Sequence, residues 1–173
     1  TGSVDERDDT PAGANQKLPY PMQLGSGTFD PLLGLTYLNK HKDWSLGGQA
    51  NAVLRFGKHD EGYRLGNEYA ATAWAAYRLG ARASVSFRLD GKAWGNIHGR
   101  NDELSPTMVP TARADLRGGE RIDALVGINL VPPEGALSGH RLAAEFGFPL
   151  YQHLDGPQLE MDYRFLLGWQ WAL

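Results

Sequence analysis

The chain contains no cysteine. Disulfide frameworks, thiolate metal sites and thiol nucleophiles are therefore excluded. It has no run of ~18 consecutive apolar residues, so no transmembrane helix is expected. That absence does not bear on strands, which cross a bilayer in roughly 10 residues with every second one apolar. A mean hydropathy of −0.41 suits such a chain as well as a soluble one. Basic runs are missing too: Lys and Arg are scattered and the net charge is −3, which gives no reason to expect nucleic acid as a partner. His41, His59, His98, His140 and His153 form no ligand-spaced pair, although His98 and His153 would share the polar side of their strands. No nucleophile motif surrounds Ser84 or Ser86, and the glycines make no phosphate loop. The acidic run Asp5-Glu6-Arg7-Asp8-Asp9 lacks the spacing of a Ca²⁺ loop and reads as a solvated segment. We therefore expect neither metal nor cofactor, and no catalytic activity.

What is abundant is period-two alternation. From Ala81 to His98 one phase holds Val85, Phe87, Leu89 and Ile97, and the other holds Arg82, Ser84, Arg88, Asp90, Lys92 and His98. Trp44–Phe56 sets Leu46, Ala50, Leu54 and Phe56 against Gln49, Asn51 and Arg55. Tyr63–Leu79 sets Tyr63, Leu65, Tyr69, Ala71 and Tyr77 against Arg64, Glu68 and Arg78. The pattern returns at Ile122–Leu130 against Arg121 and Asp123, and at Leu142–Leu150 against Arg141, Glu145 and Tyr151. It ends at Leu159–Leu173 against Glu160, Asp162 and Arg164. A weaker segment, Thr28–Asn39, precedes them all. These read as about seven strands. The connections Lys40–Asp43, Gly57–Gly62, Leu79–Arg82, Gly99–Gly119, Val131–Gly139 and Leu154–Pro157 carry turn chemistry, and only Gly99–Gly119 is long. Residues 1–27 are a polar lead-in, and 28–173 hold the strands.

A soluble barrel or sandwich would bury the apolar phase. Three features point the other way. The segments run roughly 13–17 residues, against ~5–6 for soluble strands. Aromatics sit near their ends on the apolar phase: Trp44 and Phe56, Tyr63 and Tyr77, Trp169 and Trp171. The chain also ends on an apolar strand with alternate aromatics. The expected fold is all-β: an antiparallel up-and-down transmembrane β-barrel in the bacterial outer membrane, facing lipid and lipopolysaccharide. Ala71, Val85, Phe87, Leu89, Val126, Phe146, Phe165 and Leu167 would face lipid. Arg55, Arg64, Glu68, Arg88, Asp90, Lys92, Arg121, Asp123, Arg141, Glu145, Asp162 and Arg164 would line the lumen. That lining either selects polar solutes or pairs across strands and fills the space. Its mixed sign argues against strong charge selectivity.

A periplasmic C-terminus places Leu154–Pro157, Gly99–Gly119, Gly57–Gly62 and the lead-in outside, which agrees with long loops lying outside. Gly99–Gly119 would then either fold inward as a constriction or stand outward; Met108 and Val109 favour the inward version. An odd strand number cannot close a single-chain antiparallel barrel. The chain is thus expected to supply the C-terminal seven or so strands of a larger barrel. The rest would come from upstream in the gene or from another envelope subunit.

Several segments carry a family resemblance. They are Thr1 to Pro11 (TGSVDERDDTP), Leu18 to Thr28 (LPYPMQLGSGT), Gly62 to Gly66 (GYRLG), Met108 to Ala112 (MVPTA) and Asp155 to Leu159 (DGPQL). They resemble Gram-negative outer-membrane proteins of the "MetA-pathway of phenol degradation" family, which are regarded as transporters. The resemblance implies that the first of these segments follows upstream strands of the same barrel. The expected function is a passive or substrate-selective outer-membrane channel for small organic, including aromatic, solutes, although the family's name says little about the substrate. The resemblance brings no catalytic residues with it. A structural barrel within a larger envelope complex is the alternative.

Overall fold

The computed structural model describes residues 2–11, 13–107, 109–132 and 138–171. It is all-β, with no α-helix among those residues. The strands are β1 (Arg7–Thr10), β2 (Gly13–Lys17), β3 (Leu32–His41), β4 (Trp44–Val53), β5 (Tyr63–Arg64), β6 (Glu68–Arg78), β7 (Ala83–Trp94), β8 (His98–Gly99), β9 (Gly119–Leu130), β10 (His140–Leu154) and β11 (Arg164–Trp171). Seven of them form one antiparallel sheet in the order β11-β10-β9-β7-β6-β4-β3. Each strand lies beside its neighbour in the chain, so the sheet is an up-and-down meander built from hairpins. The sheet is open. β3 and β11 are its edges, and no closed barrel is seen.

The seven alternating segments are the seven sheet strands, but two are interrupted. Tyr63–Leu79 divides into β5 and β6, and Ala81–His98 into β7 and β8. The cross-strand register runs on through the break: Tyr63 faces Gly99 and Glu68 faces Trp94. Gly66 and Gly95 meet at the interruption. A Cβ on Gly66 would stand 2.1 Å from the Gly95 carbonyl oxygen, so only glycine permits the approach. Beyond this waist the hairpin leaves the main sheet.

There it enters a small core of Tyr20, Tyr63, Ile97, Leu104 and Ala112. Tyr63 is 1% exposed and meets the edge of Tyr20 with ring centroids 4.8 Å apart. The expected pairing of Tyr63 with Tyr77 as exposed aromatics is therefore wrong for Tyr63. The lead-in and the long loop cover it, an arrangement that alternation along one strand cannot reveal. The long loop folds back onto this core through turns at Pro110–Ala112 and Ala114–Leu116. Leu104 and Ala112 bury against the core, while Val109 stays exposed. Met108 lies outside the described residues, as do Thr1 and Leu173.

β10 carries a second departure. The register with β9 shifts between Pro149 and Tyr151. Proline has no N–H for the ladder and is accommodated at such bulges. The extra residue turns the strand over. Tyr151 then pairs with Ile122 and His153 with Glu120, on the apolar side. Both were expected on the polar side. The last strand is also shorter than its alternation suggests, because residues 158–163 make no ladder.

Truncating Tyr63 to Ala should cost the core about 3–5 kcal/mol, as for other large aromatic truncations. Trypsin should then cut near Arg100 and Arg113 much faster, while far-UV circular dichroism keeps its strand signal. Unchanged cleavage would show that the loop is held by something other than this core.

Candidate functional site on the concave face

The two faces of the sheet differ in kind. One carries Ala71, Val85, Phe87, Leu89, Val126, Phe146, Phe165 and Leu167, every one of them exposed. The other carries charge, and that charge is largely paired. Asp123 is only 2% exposed, and Leu125 beside it 1%. The sheet is thus apolar outside and ion-paired inside.

The ion pairs also show how the sheet bends. Arg164 of β11 reaches Asp90 of β7 at 2.8 Å and Asp123 of β9 at 3.6 Å. Three strand spacings separate β11 from β7, on the order of 14 Å in a flat sheet. Two side chains close that gap only if the polar face is concave. Arg88 of β7 likewise pairs with Glu145 of β10, across β9. Glycine clears the path: a Cβ on Gly127 would meet the Ser86 hydroxyl at 2.6 Å and the Glu145 side chain at 2.9 Å.

Three clusters result. Arg121 and Arg164 hold Asp123 between them, with Arg121 at 3.0 Å, and Arg164 also takes Asp90. Arg88 pairs with Glu145. Arg55 donates to Asp30 at 2.5 Å and to Glu68 at 2.6 Å, and Lys92 completes that group at 2.7 Å from Glu68. Arg64 donates to the Arg55 carbonyl at 3.1 Å. Arg141 donates to the Asn129 side chain at 2.7 Å. Asp162 is exposed in the segment outside the ladder and joins none of these groups. Asp30 was not anticipated. It lies before β3, and only its contact with Arg55 reveals it. Trp74, Leu125 and Leu166 also share the concave phase, which the alternation could have shown.

Below the clusters, toward the Lys40–Asp43 and Leu79–Arg82 turns, lies a trough of about 890 Å³. Ser84, Ser86, Thr72, Gln49 and Asn129 line it with hydroxyl and amide groups. Trp74 and Leu166 give it an apolar part. Such a cavity can hold a small organic molecule.

The other end carries the loop cap. The Lys17 ammonium is almost fully buried between Asp5 at 2.8 Å and Glu61 at 3.0 Å. Arg7 ties Asp5 to Glu103 of the long loop. Lys17 and Arg7 hold the Asp5 carboxyl below its ordinary range. Asp5 of the acidic run is therefore engaged by cations of its own cap, while Asp8 and Asp9 accept from backbone N–H groups. Among the described residues no group of three His, Asp or Glu is placed to hold a metal. The bulge directs His153 outward, 3.8 Å from Asp155, while His98 pairs with Arg64 in the β5–β8 ladder.

The family described as "Putative MetA-pathway of phenol degradation" matches residues 11–114. The chain belongs to this family. The matched span runs from the cap hairpin through β7 into the long loop. It contains Arg55, Arg64, Glu68, Arg88, Asp90 and Lys92, whereas Glu145 and Arg164, which pair with Arg88 and Asp90, lie beyond it. No curated protein and no solved structure matches the chain.

Two outcomes follow from this geometry. Asp123→Ala would leave Arg121 and Arg164 facing each other. We expect a loss of about 2–3 kcal/mol, less than the 3–5 of a fully buried pair because both guanidinium groups are partly wet. Lys92→Met, at a more exposed site, should cost less than about 1 kcal/mol. Denaturant midpoints compare the two, and equal losses would refute the ranking.

The second outcome concerns pH. Burial against Tyr63 pushes the His59 imidazole below its ordinary range. The closed cap thus binds that proton less readily than an open loop does. Its stability is full above the ordinary imidazole range and falls as pH drops through it. Hydrogen-exchange protection factors in residues 100–107 should fall as pH drops from about 7 to 5, and His59→Phe should flatten that part of the profile. A profile unchanged by the substitution would remove His59 from the cause.

Proposed function

We propose that this chain forms one side of a bacterial outer-membrane β-barrel that passes small organic solutes along its charged concave face without transforming them. The observation that carries this reading is the inverted distribution of side chains. Soluble monomers rarely expose contiguous apolar patches beyond a few hundred Å². Here apolar residues stand exposed across the whole convex face, while Asp123 is buried. In a bilayer that arrangement becomes favourable, since lipid takes the apolar face and water or paired charge takes the other. Strands of 8 to 15 residues bracket the roughly 9–11 that a tilted crossing requires.

An open sheet edge is costly in hydrocarbon, because its N–H and C=O groups have no partner there. The reading therefore includes further strands joining β3 and β11, from the same gene or from another envelope subunit. With the cap outward, lipopolysaccharide surrounds the long loop and the short turns face the periplasm. The family's description names phenol degradation, so small aromatic compounds are the solutes to test first. A structural barrel filled by its own ion pairs is the competing reading; the three clusters favour it, and the open trough beneath them opposes it.

The protein as its gene encodes it, purified in detergent, should show a heat-modifiable band and conduct in planar bilayers. Phe87→Arg should lower its folding stability in lipid by roughly 2–4 kcal/mol if it lies near the midplane. A folded protein that is soluble without detergent would end the membrane reading. A folded barrel without conductance would leave the structural one.

A further inference from the structure

The two ends of the concave face are charged differently. At the cap end the charges nearly balance, with Arg64 left over on the Arg55 carbonyl. Arg55 and Lys92 stand with Asp30 and Glu68, and Arg121 and Arg164 with Asp90 and Asp123. At the turn end they do not. Arg78 takes Asp43 at 2.7 Å, and Arg88 takes Glu145. Lys40, Lys42, Arg82 and Arg141 also line the trough, and none has a carboxylate partner among the described residues. Glu134 of the adjoining turn lies outside those residues. Even counted as one counter-charge, it leaves the cations in excess.

The floor between these cations is not uniformly polar. Trp74 lies across Gly47, where a Cβ would stand 2.2 Å from the indole ring. Leu166 of β11 shares the trough with it. Arg141 reaches in from β10 and holds only the neutral Asn129 amide. A guanidinium that spends its hydrogen bonds on an amide is free to take a stronger acceptor, and a carboxylate is the strongest that a small organic molecule commonly offers. An excess of one sign in a confined trough also raises the local concentration of the opposite ion.

We infer that the trough is an anion-selective station for small carboxylate-bearing organic solutes, with Arg141 and the Lys40, Lys42 and Arg82 mouth drawing the charge while Trp74 and Leu166 receive the apolar body. This inference rests on the channel reading and names its solute class. It also revises the expectation that mixed charge argues against strong charge selectivity. The signs are mixed along the whole face but are segregated along its length.

The test is ion selectivity of the protein as its gene encodes it, in a planar bilayer under a KCl gradient. Chloride should pass several-fold more readily than potassium. Arg82→Gln combined with Arg141→Gln should bring that ratio down at least about two-fold. Arg82 is an exposed turn residue and Arg141 makes no ion pair, so folding is not at stake; the heat-modifiable band confirms it. Lys58→Gln, in an exposed loop at the cap end, should leave the ratio unchanged. Benzoate should depress the chloride current at concentrations where benzyl alcohol, its neutral counterpart, does not. A conducting protein that prefers potassium, or is blocked equally by both aromatics, overturns the anion inference and leaves the channel reading standing. No conductance at all overturns the channel reading, and the selectivity with it.

Discussion

Arg164 reaching across two intervening strands to Asp90 is the contact on which the rest depends. It ties the last strand of the sheet to the middle one and requires the polar face to be the inner face of a curve. A flat sheet would hold these charges apart and leave each in water. Curvature brings Asp123 into the same cluster, where Arg121 and Arg164 compensate its burial. Removing one partner from such a group costs more than its net contribution, because the others remain buried and unbalanced. The glycines on this face serve the same end. Gly127 leaves room for Ser86 and Glu145, and Gly147 lies against Leu125, whose side chain would sit 2.6 Å from an added Cβ.

Once the polar face is concave, the apolar residues have no choice but the outside. Antiparallel pairing fixes this strand by strand, since a slip of one residue would reverse both faces. Phe87 faces Val126, and Val126 faces Phe146, which faces Phe165. That row of large apolar side chains runs across four strands without a charge. Packing among the described residues does not stabilise it, because none of them covers it. Its stabilisation has to come from the surrounding medium, which is why the same arrangement that would be a liability in water supports the membrane reading.

How much of this was legible in the sequence divides along a physical line. Alternation is a local signal, so the seven strands, their faces and the strand residues of the ion-paired clusters could be read directly. Signals that depend on distant contact could not. Tyr63 has the alternation phase of an exposed residue, yet it is buried by Tyr20 and by a loop some forty positions further on. Asp30 belongs to no strand and is found only through Arg55. Pro149 was visible and should have warned of a bulge. Reading alternation straight through it put Tyr151 and His153 on the wrong side. The bulge gives Tyr151 a position on the convex face, where its hydroxyl donates to Glu120 at 2.7 Å.

The turn end of the sheet shows one set of strand ends answering to two surroundings. On the convex face Trp44 packs against Tyr77 at 4.9 Å between ring centroids, and His140 stacks between Trp169 and Trp171. Trp169 also donates to His140 Nδ1 at 2.9 Å. Rings with one polar atom suit a boundary between hydrocarbon and water. On the concave face, at the same level, stand Lys40, Arg78 and Arg141. Because neighbouring residues point to opposite faces, His140 and Arg141 can meet both demands from adjacent positions. The turns Lys40–Asp43 and Leu79–Arg82 are short, and the carboxylate they supply is Asp43. The cap end, with its long loop and hairpin, supplies many. The unequal supply of carboxylates at the two ends thus leaves one end of the concave face near balance and the other cationic.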